Sequence, residues 1–391
     1  MRALICCDYY LPGYLAGGPI RSLSNLVAAE SERVEFHIVT RDRDLGASEP
    51  YRDVNPGVWT PVGAAQVRYL SASEMNSASI LQAVRDVNPD VIFLNSLLSP
   101  IFTVAVLWLR RIGKVRTPVV LAPRGELSAD ALRLKAWKKR PFLLAARELG
   151  LYDGLTWVVT SDHERADLLD WLGRRGRSAH IVQIEPSPPA ASAVEPAALW
   201  PERDPARLRI VFLSRIAPMK NLLGAIRILA GLGEPCSFDI YGPVEHSDYW
   251  KSCQSAIEAL PPDVEVTVHG PVEPSQVLST LADRDVLLLP TLGENFGHVI
   301  LESLTAGCPV VISDRTPWRN LEAEGVGFDV ALQDEEAFRD ALRKISHLDA
   351  SGQRALRERC RKHALSWVNS RNQEYASTFE EAAARQQRQA S

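Results

Sequence analysis

The sequence predicts an α/β protein of two doubly wound domains facing each other across a cleft, and three observations carry that expectation. Short apolar runs alternate with stretches of helical periodicity along most of the chain, the pattern of parallel sheets covered by helices on both faces. The alternation occurs twice, on either side of a segment, 185–206, that holds six prolines and several alanines and reads as a linker. A length of 391 residues, 46% of them hydrophobic and 24% charged, suits two globular domains of ordinary size. The expected boundaries are 1–190 for the first domain, 191–205 for the proline-rich linker, 206–365 for the second domain and 366–391 for a helical tail.

In the first half, strands are expected at 3–7, 34–40, 91–95, 119–122, 155–160 and 180–184, where apolar residues run together. Helical periodicity marks 20–30, 77–87, 128–150 and 162–172, and Pro19 suits the first position of a helix. In the second half, strands are expected at 208–213, 237–241, 264–268, 286–290 and 310–312, and helices at 221–232, 247–259, 274–281 and 298–306. The tail carries Tyr375 and Phe379 in a helical pattern, and a return to the first domain is one place for it to pack. Ligands of such sheets bind at the carboxyl ends of the strands.

The net charge of −4 argues against a nucleic-acid binder. Charge is uneven, however: 110–147 holds 11 basic and two acidic residues. The six cysteines have no metal-like spacing and several sit in apolar runs, as buried thiols of a reducing compartment do. The apolar run 3–7 is too short for a signal peptide, and 97–109 falls short of the roughly 20 residues that span a bilayer. A cytosolic protein, or one attached to a membrane from the cytosolic side, is expected.

The most informative segment is 293–302, Gly-Glu-Asn-Phe-Gly-His-Val-Ile-Leu-Glu. With a helix starting near Gly297, Glu294 lies in the preceding loop and Glu302 on the second helical turn. Unpaired N–H groups at a helix N-terminus suit a phosphate, and carboxylates accept hydrogen bonds from sugar hydroxyls. Phosphate and hydroxyls together describe a nucleotide sugar. Arg215 and Lys220 follow the first strand of the second domain, at the sheet edge where ligands bind, and two cations there neutralise a diphosphate. In the first domain, Gly17 and Gly18 before a helix offer a second approach for backbone N–H groups.

Arg215 and Lys220, the loop 269–272, and Glu294 and Glu302 followed by Ala306-Gly307-Cys308-Pro309-Val310 resemble glycosyltransferase family 4. The resemblance covers nearly the whole chain and is strongest in 205–325. It implies a retaining, metal-independent enzyme with no cofactor, built of two Rossmann-like domains in the GT-B arrangement. It assigns Arg215 and Lys220 to the diphosphate and Glu302 to the ribose. Glu294 falls against the transferred sugar, and the Asn295, Phe296 and Gly297 backbone against sugar and phosphate. Gly242, His269 and Val272 border the base, and Gly17 and Gly18 close over the phosphates. The implied reaction moves a hexosyl unit from a UDP- or GDP-linked sugar to a saccharide or a lipid-diphosphate-linked saccharide, in bacterial surface-polysaccharide assembly.

Many relatives carry a histidine near the donor sugar where this chain reads Ala122-Pro123-Arg124-Gly125-Glu126. Asp8, Arg124 and His163 are therefore the acceptor-side candidates. Two Asp-x-Asp triplets, 42–44 and 283–285, read as charged loop, and two cations already in place make a metal redundant. The basic stretch 128–147 is interleaved with Leu132, Trp137, Phe142 and Leu143. A helix lying on an anionic membrane surface has this make-up, and so does a core helix with a charged outer face. Two other functional classes fit the residues: a nucleotide-sugar isomerase or epimerase of the same plan, and a non-catalytic partner subunit.

Overall fold

A strand apolar on both faces must be covered on both faces, and the chain solves this twice. The computed structural model describes all residues except 134–135, 185–199, 201–206, 371–374 and 391. Two units result: Met1–Pro189 with Asn372–Ser391, and Ala190–Arg371.

The first unit is an eight-stranded sheet of β1 (Arg2–Cys6), β2 (Glu35–Arg41), β3 (Trp59–Val62), β4 (Ala65–Leu70), β5 (Val91–Leu94), β6 (Val119–Leu121), β7 (Thr156–Val159) and β8 (His180–Gln183). The order is β3-β4-β2-β1-β5-β6-β7-β8, and every pairing is parallel except β3 with β4. Helices α1 (Gly18–Glu30), α2 (Ser77–Val87), α3 (Val106–Arg111), α4 (Ala129–Arg133), α5 (Ala136–Glu148) and α6 (Asp162–Leu172) connect the strands. β5, β6 and β7 are buried throughout, as continuous apolar runs in a two-faced sheet must be. The order reverses between β1 and β5, so a crevice opens at their carboxyl ends. The hairpin strands β3 and β4 were not expected from the sequence. The helix expected over 128–150 is described as α4 and α5 on either side of residues 134–135, which lie outside the described residues.

The second unit is a six-stranded, wholly parallel sheet of β9 (Leu208–Leu213), β10 (Cys236–Tyr241), β11 (Val264–Gly270), β12 (Val286–Leu289), β13 (Val310–Ser313) and β14 (Gly327–Val330), in the order β11-β10-β9-β12-β13-β14. It is flanked by α7 (Leu222–Ala230), α8 (Ser247–Glu258), α9 (Val277–Ala282), α10 (His298–Thr305), α11 (Glu335–Ser346) and α12 (Ala350–Ser370). Its reversal falls between β9 and β12.

The stretch 366–391 divides between the units. Its first residues continue α12, and α13 (Tyr375–Ala390) returns to the first unit. There the Tyr375 and Phe379 rings lie 5.8 and 5.7 Å from that of Phe93. The Tyr375 hydroxyl donates to the Ile184 carbonyl at 3.3 Å. The linker expected at 191–205 lies outside the described residues apart from Trp200, whose indole N–H donates to the Ala306 carbonyl at 3.0 Å.

Candidate functional site

At the reversal of the second sheet, two loops are tied together by their own backbone. β9 ends at Leu213, and a 3-10 turn, Pro218–Lys220, leads to Asn221 in the left-handed region. Asparagine tolerates that conformation, and its side chain works in both directions. Its Oδ1 accepts from Gly224 N at 3.1 Å to cap α7, and its Nδ2 donates to the Pro290 carbonyl at 2.8 Å. Across the gap, Leu292 N and the Thr291 hydroxyl both donate to the Met219 carbonyl. The residue after Met219 and the residue after Gly293 are thus brought face to face. Lys220 Nζ lies 2.6 Å from Glu294 Oε1, with both side chains largely buried.

Arg215 lies on the same edge and pairs with Glu245 at 2.9 Å, each side chain about one-third exposed. Glu245 is held by its N–H to the Ile216 carbonyl. Between them, Gly242 has φ +143, and a Cβ there would stand 1.9 Å from the Ser214 carbonyl oxygen. Only glycine lets β9 and β10 run out of the sheet this close together. His269 stacks on Tyr241 with ring centroids 4.3 Å apart and planes 5° from parallel, and its Nε2 meets Asp239 Oδ1 at 2.5 Å. Arg284 joins the group through Asp239 at 3.1 Å and the Tyr241 hydroxyl at 3.3 Å. Val272 is partly buried and packs against the core.

α10 starts at His298, with Gly297 as a left-handed N-cap (φ +82) that no side chain caps. A Cβ on Gly297 would sit 2.7 Å from Ile300 Cδ1. Phe296 is buried beneath the helix start among His298, Trp318 and Trp367, and its carbonyl accepts the Trp318 indole N–H at 2.6 Å. Asn295 is partly exposed in the loop, and Glu302 is partly exposed on the second turn. Glu294 N donates to the Arg315 carbonyl at 3.0 Å, which fixes the loop from its other side. The structure thus groups Lys220, Glu294, Asn295, Phe296, Gly297 and Glu302 on one loop and helix, joined to the loop after β9. Arg215, Gly242 and His269 lie at the same edge.

The remaining predicted residues lie in the first unit. Gly17 is the N-cap of α1, at φ +71 with open space where a Cβ would go, and Gly18 is the first helical residue. Asp8 follows β1, and its carboxylate takes the Arg41 guanidinium at 2.5 Å. Arg124 is held at φ +53, its Nε donating to Asn95 Oδ1 at 2.8 Å, and Asn95 Nδ2 reaches the Pro19 carbonyl at 3.5 Å. Asn95 therefore links Arg124 to the start of α1. His163 is exposed in the first turn of α6 and shares that turn with a residue that sequence reasoning missed. The buried Glu164 accepts Gly125 N at 2.6 Å and Thr160 N at 2.7 Å. Glu126, also missed, accepts Leu97 N at 2.6 Å and Leu98 N at 2.9 Å, and burial pushes its carboxyl above the usual carboxylate range. Glu126 in the loop after β6 and Glu164 in the first turn of α6 each accept backbone N–H groups that would otherwise be buried without partners.

The Asp-x-Asp triplets lie in loops, as expected, but most of their aspartates are turned inward. Asp42, Asp44 and Asp285 are buried. Asp44 Oδ2 accepts the N–H groups of Tyr14 and Leu15, at 2.8 and 3.1 Å. Asp285 pairs with Arg209 at 2.8 Å and with Arg357 at 3.4 Å. These aspartates hold the fold together.

Comparison with known proteins accounts for both units. The family described as glycosyl transferase 4-like domain matches residues 17–186, and the family described as glycosyl transferases group 1 matches residues 201–367. A search of curated proteins found none that matches. Among solved structures, HepE of Anabaena in complex with UDP and glucose is 16% identical, with 97% of this chain and 100% of that one covered at a TM-score of 0.70. Sucrose-phosphate synthase of Thermosynechococcus elongatus is also 16% identical, with 100% and 99% covered and a TM-score of 0.70. WaaG, a glycosyltransferase involved in lipopolysaccharide biosynthesis, is 15% identical, with 98% of each chain covered and a TM-score of 0.63. At such identities the likeness speaks for the fold, which is GT-B. With both family matches falling on the two units in order, the chain belongs to the family 4-like glycosyltransferases.

Proposed function

We propose that this glycosyltransferase takes a UDP- or GDP-linked hexose as donor and transfers the hexosyl unit, with retention at the anomeric carbon, to a hydroxyl of a saccharide or lipid-diphosphate-linked saccharide. The single observation that carries the donor reading is the convergence of Lys220, Glu294 and the start of α10 at the reversal of the second sheet. Solved structures of HepE hold UDP-glucose, and the trehalose-6-phosphate enzyme of E. coli is bound with UDP-2-fluoro glucose, which supports a nucleotide sugar here.

The roles follow from charge. In the reaction the bond from the anomeric carbon to the phosphate oxygen breaks, and positive charge grows on the sugar while negative charge grows on the diphosphate. Arg215, Lys220 and the α10 N–H groups stabilise that negative charge, so the site needs neither a metal ion nor a cofactor. The acceptor oxygen bonds to the anomeric carbon on the face the phosphate leaves, and its proton passes to the departing phosphate oxygen. Glu294 positions the transferred sugar, and Glu302 takes the ribose hydroxyls. His269, stacked on Tyr241, borders the base with Gly242 and Val272. Asp8, Arg124 and His163 are the acceptor-side candidates, and Gly17 and Gly18 offer backbone N–H groups to an anion at the start of α1.

The process served is bacterial surface-polysaccharide assembly, with the basic stretch 128–147 resting on the inner face of the cell membrane. No helix among the described residues is long and apolar enough to cross a membrane. Incubating the chain with a panel of nucleoside diphosphate sugars, with and without EDTA, and following nucleoside diphosphate release tests this reading. Slow hydrolysis of one sugar nucleotide, unaffected by EDTA, is the expected result. Release from none, with no binding by calorimetry, contradicts it.

A further inference from the structure

A left-handed backbone is costly for a side chain with a Cβ, and it persists only where the surroundings hold it. Among the described residues other than glycine, φ is positive at Asn88, Arg124, Asn221 and Asn320. Asparagine tolerates that conformation because its short amide can bond locally, and arginine has no such relief. Arg124 stands at φ +53 and Gly125 follows at φ +74, so two consecutive residues of the turn after β6 are left-handed.

Two carboxylates hold the turn. Glu164, only 2% exposed, comes from α6. Its Oε1 accepts Gly125 N at 2.6 Å, while its Oε2 accepts the Thr160 N–H at 2.7 Å and the Thr160 hydroxyl at 2.8 Å. Glu126 reaches the other way, to Leu97 N, Leu98 N and the Ser96 hydroxyl. Just before these residues, Asn95 N donates to the Cys6 carbonyl at 3.2 Å, and Asn95 Oδ1 takes Arg124 Nε at 2.8 Å. The Arg124 side chain is thereby brought to the carboxyl ends of β1 and β5, where the order of the first sheet reverses.

We infer that Glu164 is a positioning residue for glycosyl transfer: through Gly125 it fixes the left-handed turn that presents Arg124 at the crevice of the first sheet. The inference rests on the acceptor-side reading of Arg124 and adds what keeps that cation in one place. Were the turn there for the fold alone, glycine or asparagine would fill position 124 with less strain, as asparagine does at 88, 221 and 320. A guanidinium recognises its ligand through a planar fork, and a displacement of about 1 Å can cost about a hundredfold in rate.

The test uses the full chain and the sugar nucleotide that the donor panel selects. Nucleoside diphosphate release is followed in water and with a set of phenyl glycosides as acceptors. Glu164→Gln leaves one acceptor oxygen, so either Gly125 N–H or Thr160 N–H then faces an amide NH2. It is expected to lower kcat by about tenfold or more, with the donor KM within about twofold of wild type. Arg124→Asn suits the left-handed turn and removes the cation, and it is expected to lower kcat at least as far. In the double variant, Glu164→Gln is expected to add less than about twofold, because it acts through a guanidinium already gone. Hydrogen exchange should quicken over 122–128 and not across the rest of the first unit. Should Glu164→Gln not fold, Thr160→Val, which removes only the hydroxyl bond to Glu164, carries the same cycle with a smaller loss. An equal loss with and without Arg124, or faster exchange throughout the unit, makes Glu164 a support of the fold alone and overturns the inference. Wild-type rates in Arg124→Asn overturn the acceptor-side reading of Arg124 along with it and leave the donor site standing. Release from no sugar nucleotide by the wild type overturns the donor reading and this role together.

Discussion

Lys220 Nζ and Glu294 Oε1 stand 2.6 Å apart, although 74 positions separate the two residues in the chain. The pair closes the loop after β9 onto the loop before α10. It also holds the Lys220 ammonium largely out of water. Lys220→Ala is expected to lower turnover by about 10²–10³ while the fold persists. Glu294→Ala is expected to do the same through loss of sugar positioning and of the lysine's anchor. Steady-state rates with circular dichroism as the fold control check both, and near-normal rates in the two variants count against the site.

Arg215 is held by Glu245, which competes with any diphosphate for the guanidinium. Both groups are partly exposed, so the competition is weak. Glu245→Gln is expected to tighten nucleoside diphosphate binding by about twofold to fivefold, the range of a part-exposed ion pair. Calorimetry at low and moderate salt reads the change. Weaker binding in the variant would mean that Glu245 supports the site.

Gly242 has no room for a methyl group, because the Ser214 carbonyl occupies its place. Gly242→Ala is expected to cost about 1–3 kcal/mol of stability and to shift the ends of β9 and β10. Denaturant unfolding measures the first effect, and a raised KM for the donor reports the second. A variant as stable as the wild type would show that the strand ends separate easily.

Glu126 is buried beside the loop that carries Arg124, and its carboxyl holds a proton above the usual range; desolvation is the main cause, opposed by bonds from Leu97, Leu98 and Ser96. The unfolded chain releases that proton near pH ~4.3. Between that value and the higher folded value, the native state binds more protons, so stability falls as pH rises through the window and then levels off. Glu126→Gln removes the titration. The difference in melting temperature between wild type and variant should therefore change across the window and be constant above it. A difference independent of pH contradicts the assignment.

The second unit was the more legible in sequence. Its central strands are largely apolar runs, as in the Val-Leu-Leu-Leu of β12, and the loop before α10 carries charge at fixed spacing beside a helix start. α11 was also readable, with Asp334 accepting from Ala337 N at its start and Arg343 and Lys344 in its last turn. It was passed over because its many charges mask a narrow apolar stripe. β3 and β4 were missed because β3 has no buried residue, polar Gln66 and Arg68 break up β4, and Pro61 interrupts the first. The stacking of His269 on Tyr241 and the anchoring of Gly125 by Glu164 join residues far apart in sequence, and no local pattern announces either contact.

The return of α13 has a consequence for how the protein is made. Phe93 is synthesised early, yet its partners Tyr375 and Phe379 come almost 300 residues later. A nascent chain carrying only the first 189 residues leaves an oily seam beside β5 uncovered. That seam must wait, shielded or at risk of sticking to its neighbours, until the second unit has emerged and the closing helix can be laid down.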